Sequence, residues 1–164
     1  MMEKKYKLTE ETINVDGRTL YRIEAVKEFA DVKKGDKGGW VESEDNLSQE
    51  DNCWVYGNEK VYGNALIYGR AIIYDNAKVY DEADVCEDAK VFEDAEVFGN
   101  AYVFGNAEIY GDAKVYENAE AYDDAMVYDN AKVYGNAKVY GYATVHWNAK
   151  VYGTDEVYGT DEVY

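Results

Sequence analysis

The sequence predicts an all-β chain: a prism of short, parallel, stacked strands with a hairpin at its N-terminal end. Three observations predict it. From Val55 to Glu162 the chain divides without insertion or deletion into eighteen hexads, and self-similarity at a fixed short period marks a repeat architecture. The first hexad position is Val or Ile in seventeen of the eighteen, Ala121 being the exception, and the fifth is Ala in fifteen, the others being Glu59, Asp155 and Asp161. Ahead of the repeats, alternating apolar stretches between Lys4 and Val26 flank Asp16-Gly17, a strong signal for a two-residue hairpin turn.

Taken in chain order, residues 1–40 form the hairpin and cap, and residues 41–164 the repeats. The hairpin, with Phe29 and Trp40, is expected to cover the open bottom of the first coil, whose backbone groups would otherwise be unpaired. Val41, Leu47 and Cys53 lie six apart, in phase with the later Ala column, so one further irregular coil is expected before Val55. Within each hexad, Ala and the next Val are two residues apart. An extended segment therefore turns both to one side and the residue between them to the other. Gly-Asn, Asp-Asn or Glu-Asp after the aromatic residue tolerates the left-handed backbone of a corner. A three-residue strand cannot bury its apolar face alone and needs a like strand above and below. Three hexads close an 18-residue coil, so the chain makes about six to seven coils.

Residues eighteen apart then stack, placing three aromatic files outside: Tyr56, Tyr74, Phe92, Tyr110, Tyr128, His146 and Tyr164; Tyr62, Tyr80, Phe98, Tyr116, Tyr134 and Tyr152; and Tyr68, Cys86, Phe104, Tyr122, Tyr140 and Tyr158. Cys53 is expected inside and Cys86 outside, too far apart for a disulfide. The chain stops in mid-hexad at Val163-Tyr164, with Asp155 and Asp161 on the inward side as a charged cap over the last coils.

An aliphatic first position and a small fifth position resemble the hexapeptide-repeat, left-handed parallel β-helix family. Gly stands third here, where that family more often has it second. The run GDKGGWVE, with NLSQ and CWVY after it, resembles uncharacterised bacterial and prophage hexapeptide-repeat proteins labelled as acyltransferases. The resemblance implies a left-handed β-helix, commonly trimeric, and an acyl transfer from acetyl-coenzyme A in which a histidine takes the acceptor's proton. His146 is the one histidine in the chain. It occupies a slot otherwise held by Tyr, next to two further departures from the repeat, Tyr142 and Trp147. Such a histidine more often substitutes in the stack than catalyses. The three-histidine zinc site of β-helical carbonic anhydrases is absent, and Thr144, Thr154 and Thr160 are too few for an ice-binding array.

Charge narrows the function further. The chain has 164 residues, 34 acidic and 17 basic, for a formal net charge of −17, and 18 of its residues are Tyr. From Asp75 to Asp129 there are 16 acids and 3 bases. Spread over about three coils, this excess of 13 negative charges is roughly one per 1.1 Å of axis, against one per ~1.7 Å in duplex DNA. Direct nucleic-acid binding is therefore disfavoured. No stretch approaches the roughly 18 to 20 uninterrupted apolar residues of a membrane span. Met1 to Thr9 lacks the apolar core of a secretory signal, and two cysteines read as reduced thiols of a cytoplasmic protein.

The expectation is a non-catalytic binding or scaffold module without cofactor or metal. It engages a basic protein, such as a nucleic-acid-binding one, through Asp75, Asp81, Glu82, Glu87, Asp88, Glu93, Asp94, Glu117, Asp123 and Asp124 together with Tyr110, Tyr116, Tyr122 and Tyr128. The exposed rings also suit sugar stacking or a homodimer or homotrimer interface. The alternative is an acetyl-coenzyme A dependent acyltransferase with His146 as general base.

Overall fold

In the computed structural model, which describes residues 3–164, every regular element except one short 3₁₀ turn at Glu44–Asn46 is a β-strand. The hairpin comprises β1 (Tyr6–Val15) and β2 (Arg18–Ala25), turning at Asp16 and Gly17, both of positive φ. β3 (Lys37–Val41) pairs antiparallel with β2 and parallel with the repeat strand Lys60–Val61, Trp40 opposite Lys60 and Val41 opposite Val61. Hairpin and repeats thus share one sheet, and the expected division at residue 40 falls inside β3.

Each hexad contributes its sixth and first residues as a two-residue strand, and strands eighteen residues apart pair in register. Three walls result. Wall one continues the hairpin and β3 through six strands, from Lys60–Val61 to Lys150–Val151. Wall two has six, from Leu66–Ile67 to Glu156–Val157, and wall three has seven, from Trp54–Val55 to Glu162–Val163. The whole is a β-solenoid of about seven turns. Every first-position residue from Val61 to Val145 and every Ala from Ala65 to Ala143 is at most 1% exposed. Burying each Val or Ile contributes about 1.5 to 3 kcal/mol, a gain that only the neighbouring coils make available. Asp155 and Asp161, in the last coil, are exposed.

Two details at the base differ from the sequence expectation. Val41 and Leu47 register with Val61 and Ile67, twenty residues on, whereas Cys53 lies under Ala71, eighteen residues on. The first coil therefore carries two extra residues between Leu47 and Cys53. Because side chains alternate with period two, a slip of two keeps all three side chains inside, and each is fully buried. Phe29 and Tyr6 do pack edge-on against Trp54 within the interior cluster. Trp40 does not join them. It lies on the outer side of wall one with Leu20 and Tyr62, under the Arg22 guanidinium at 4.2 Å, because it takes the outward phase of the lysine at position 60.

Candidate functional site

The third residue of every hexad adopts a left-handed backbone, whether it is Gly or not. Asp75, Asp81, Glu87, Glu93, Glu117, Asp123, Asp129 and Trp147 all have φ between 56° and 63°. L-residues reach this region at a cost of roughly 1 to 2 kcal/mol, so a compensation is required. It comes from the acids themselves, whose carboxylates accept the backbone N–H of the third residue one coil further on. Asp81 takes that of Gly99 (3.3 Å), Glu87 of Gly105 (2.9 Å), Glu93 of Gly111 (2.8 Å), Glu117 of Gly135 (2.8 Å), Asp123 of Gly141 (3.2 Å) and Asp129 of Trp147 (3.1 Å). Glu42 does the same for Gly63 in the irregular coil, at 2.7 Å. Five of the ten acids expected to form a binding surface are therefore braces between coils, each with one oxygen committed to the backbone.

Corners divide the acids among three edges. Between walls three and one lie Asp75, Glu93, Asp94, Asp112 and Asp129; no Lys or Arg occupies these corners, although Lys114, Lys132 and Lys150 of wall one line a groove together with Asp112. Asp81, Glu82 and Glu117 lie between walls one and two, and Glu87, Asp88, Asp123 and Asp124 between walls two and three. On that last edge Arg70 bonds Asp88 bidentately, holding its carboxyl below the usual carboxylate range. Asn106 donates to Asp124 at 3.1 Å, and an Asn file, Asn100 to Asn118 to Asn136, continues along the edge of walls one and two. Glu87 and Asp88 do not meet Asp94, which is on another edge. Among the described residues no group of three or more His, Cys, Asp or Glu is placed to share a metal ion.

Wall one carries the opposite sign. Its outward residues are Lys60, Lys78, Glu96, Lys114, Lys132 and Lys150. Lys78 and Lys114 both face Glu96, at 3.9 and 3.3 Å. The acidic surface is thus a set of edges beside a lysine stripe. A count of charges along the chain does not show that stripe, because its period is eighteen.

The aromatic files are continuous stacks. In the Tyr62 file, ring centroids are 4.8 to 5.5 Å apart and planes within 17°. From Tyr74 to His146 they are 4.7 to 5.0 Å apart, and from Phe104 to Tyr158 they are 4.8 to 5.6 Å apart. Such pairs contribute about 0.2 to 1 kcal/mol each. The rings within a stack cover one another's faces, leaving edges and hydroxyls outside, so a sugar ring finds no flat face along the files. The break at Cys86 is closed from the side. Tyr102 leans across it, 4.4 Å from the Phe104 ring, with its hydroxyl 3.4 Å from both Cys86 Sγ and Tyr68 Oη. Cys86 is thereby buried, although it lies on the outer side of the wall, and both cysteines are free.

His146 belongs to the first file. It stacks on Tyr128 at 5.0 Å, and its Nε2 lies 2.8 Å from Glu162. That contact repeats a relation made by tyrosines, since Tyr80 donates to Glu96 at 2.9 Å and Tyr140 to Glu156 at 3.0 Å, each sixteen residues on. Nδ1 is buried without a partner. A tyrosine here would keep the stack and the donation to Glu162 while removing the orphaned nitrogen. His146→Tyr is accordingly expected to stabilise the chain by about 0.5 to 1 kcal/mol, read as a higher urea midpoint; a lower midpoint contradicts the stacking role.

One buried carboxyl lies outside all of these patterns. Glu59 occupies the inward Ala position of its hexad and is fully buried, with neither oxygen hydrogen-bonded. Burial pushes its pKa up to about 7. The carboxyl sits behind the Gly57 corner, such that a Cβ there would come within 3.3 Å of Oε1 and 3.4 Å of Oε2. The geometry defines a β-solenoid with acidic edges and ring-stacked files. No protein-family model matches the chain, and no curated protein matches its sequence.

Proposed function

We propose that this chain is an acidic, non-catalytic binding or scaffold module for a basic protein, in particular one whose basic surface otherwise holds nucleic acid. The observation that carries the reading is the edge between walls three and one. There Asp75, the pair Glu93 and Asp94, Asp112 and Asp129 occupy four successive coils beside the Tyr74, Phe92, Tyr110 and Tyr128 stack. Glu93 and Asp129 are fixed by backbone N–H groups, so a partner meets a rigid file of charge and little ordering entropy is lost on contact. Long-range attraction to such a file speeds association and weakens with salt.

The test is competition. An arginine-rich nucleic-acid-binding peptide, preloaded with labelled oligonucleotide, is titrated with the chain at increasing salt. The expected result is release of the oligonucleotide at low salt, with an apparent affinity that falls steeply as salt rises. Asp94→Asn with Asp112→Asn removes two corner charges that brace nothing and is expected to weaken competition about 5- to 20-fold. Absence of release at low salt, or indifference to the double substitution, overturns the reading.

The acyltransferase alternative has less support in the geometry. Nε2 of His146 is taken by Glu162 and Nδ1 is buried, whereas a general base needs a free nitrogen within reach of the acceptor's proton. Thermal stabilisation by acetyl-coenzyme A that disappears in His146→Ala would restore it.

A further inference from the structure

The base of the same edge holds a groove of about 460 Å³, lined by Asp31, Tyr56, Glu59, Ile72, Tyr74 and Asp75 with the Gly57-Asn58 corner, and no basic side chain lines it. Three features converge there. First, ring stacking in this file begins at Tyr74, which pairs upward with Phe92 at 4.7 Å. Tyr56 is instead drawn aside, its hydroxyl donating to Asp31 at 2.7 Å, and no ring stacks on the lower face of Tyr74. Second, Asp75 makes no hydrogen bond or ion pair among the described residues, unlike the braced acids above it. Third, the fully buried Glu59 carboxyl, both oxygens unpartnered, is turned toward the Gly57 corner that forms one side of the groove.

From this juxtaposition we infer that the groove is the anchor site for one arginine side chain of the basic partner. A guanidinium is planar and weakly hydrated, stacks on aromatic faces and pairs with carboxylates in a fork. The groove offers an uncovered phenol face, the carboxylates of Asp31 and Asp75 at its rim, an Ile72 floor for the methylene stem, and a third carboxyl behind the corner. An ammonium gains less here, because its compact charge is strongly hydrated and has no plane to lay on Tyr74. The inference rests on the binding-module reading and makes it specific: one arginine is recognised at a defined point, and the charged file above supplies attraction without selectivity.

The experiment titrates the full chain with ethylguanidinium, and separately with butylammonium, following the Glu59 carboxyl and Tyr74 ring signals by NMR. Ethylguanidinium is expected to shift both signals with a dissociation constant in the millimolar range, as befits a fragment of few atoms. Asp31→Asn with Asp75→Asn, which leaves the backbone braces intact, is expected to weaken the response at least fivefold. Unmoved signals, or an equal response to butylammonium, overturn the inference. A short arginine-rich peptide separates this outcome from failure of the broader reading. Salt-sensitive peptide binding with Glu59 and Tyr74 unmoved removes the groove and leaves the acidic module standing. Shifts with ethylguanidinium but no peptide binding at low salt support the groove and remove the module.

Discussion

Gly105→Ala is expected to destabilise the solenoid by about 3 kcal/mol, while Gly153→Ala costs about 1 kcal/mol. Both glycines are corner residues of nearly equal φ, +67° and +65°, so the left-handed penalty, roughly 1 to 2 kcal/mol, is common to them. They differ in what lies above. A Cβ at Gly105 would stand 2.7 Å from the Asp123 nitrogen and 3.0 Å from its Cα and oxygen, whereas one at Gly153 meets nothing within 4 Å. The obstructing atoms are backbone, so relief requires the two coils to separate locally. Overpacking of that kind typically adds 1 to 3 kcal/mol. The separation would also stretch the neighbouring bond from the Asn106 nitrogen to the Asp123 oxygen, now 2.7 Å. Urea titration followed by far-UV circular dichroism measures both variants. Equal losses would show that the corners are held by backbone preference alone and that close coil spacing is unimportant.

Corner spacing also explains which parts of this molecule are legible in the sequence. Val at the first position and Ala at the fifth fill a narrow triangular interior. Each is read directly, because a larger or polar residue there has no room or partner, and the walls follow from that phase. Corner chemistry is less transparent. Asp81 with Gly99, Glu87 with Gly105, Glu93 with Gly111, Glu117 with Gly135 and Asp123 with Gly141 are acid and glycine pairs eighteen apart in the sequence, visible once the coil length is known. Counting charge conceals them, since a brace and a free carboxylate contribute the same −1. The lysine stripe of wall one is hidden the same way within a net charge of −17. Trp40 and the coil-one slip were obscured because the repeat is irregular there, and phase cannot be carried backward through an insertion of two. Tyr102, which closes the gap at Cys86, occupies the sixth position, where most residues are charged. Its aromatic character was the only signal.

The expected binding surface is legible in part for a related reason. The sequence places acids and tyrosines outside, and they are outside. It does not say that five of the ten acids are engaged with the coil above, nor that the rings hide their faces in one another. Both facts move the argument away from a diffuse acidic face and toward the edge of walls three and one, whose base is the point where a ring face is uncovered and a carboxyl has no partner.

Glu59→Ala is expected to stabilise the chain above neutral pH by about 2 kcal/mol and to confer no advantage below about pH 4.5. The carboxyl titrates near its ordinary value of 4.5 when the chain is unfolded and near 7 when folded, chiefly because burial disfavours the charged form; the nearby backbone N–H groups of Glu59 and Asn58 offset part of this, Asp75 adds repulsion and Lys60 a smaller attraction. Between those values the folded state binds more protons than the unfolded state, so stability falls as pH rises through the window and then levels off. A shift of this size corresponds to about 3 kcal/mol at most, and partial solvent relaxation around the ion reduces it. Alanine is the residue found here in fifteen hexads, so the inward wall accepts it, although loss of the glutamate stem forfeits some contacts with the corner. The self-repulsion of the remaining acids acts on both proteins alike and cancels in the difference. The measurement is therefore the difference in unfolding free energy between variant and parent from pH 4 to pH 8.5. It is expected to be near zero or slightly negative at the acid end, to rise through pH 5 to 7, and to plateau. A difference independent of pH would mean that the carboxyl is solvated when ionised, and would remove Glu59 from the argument for the groove beside it.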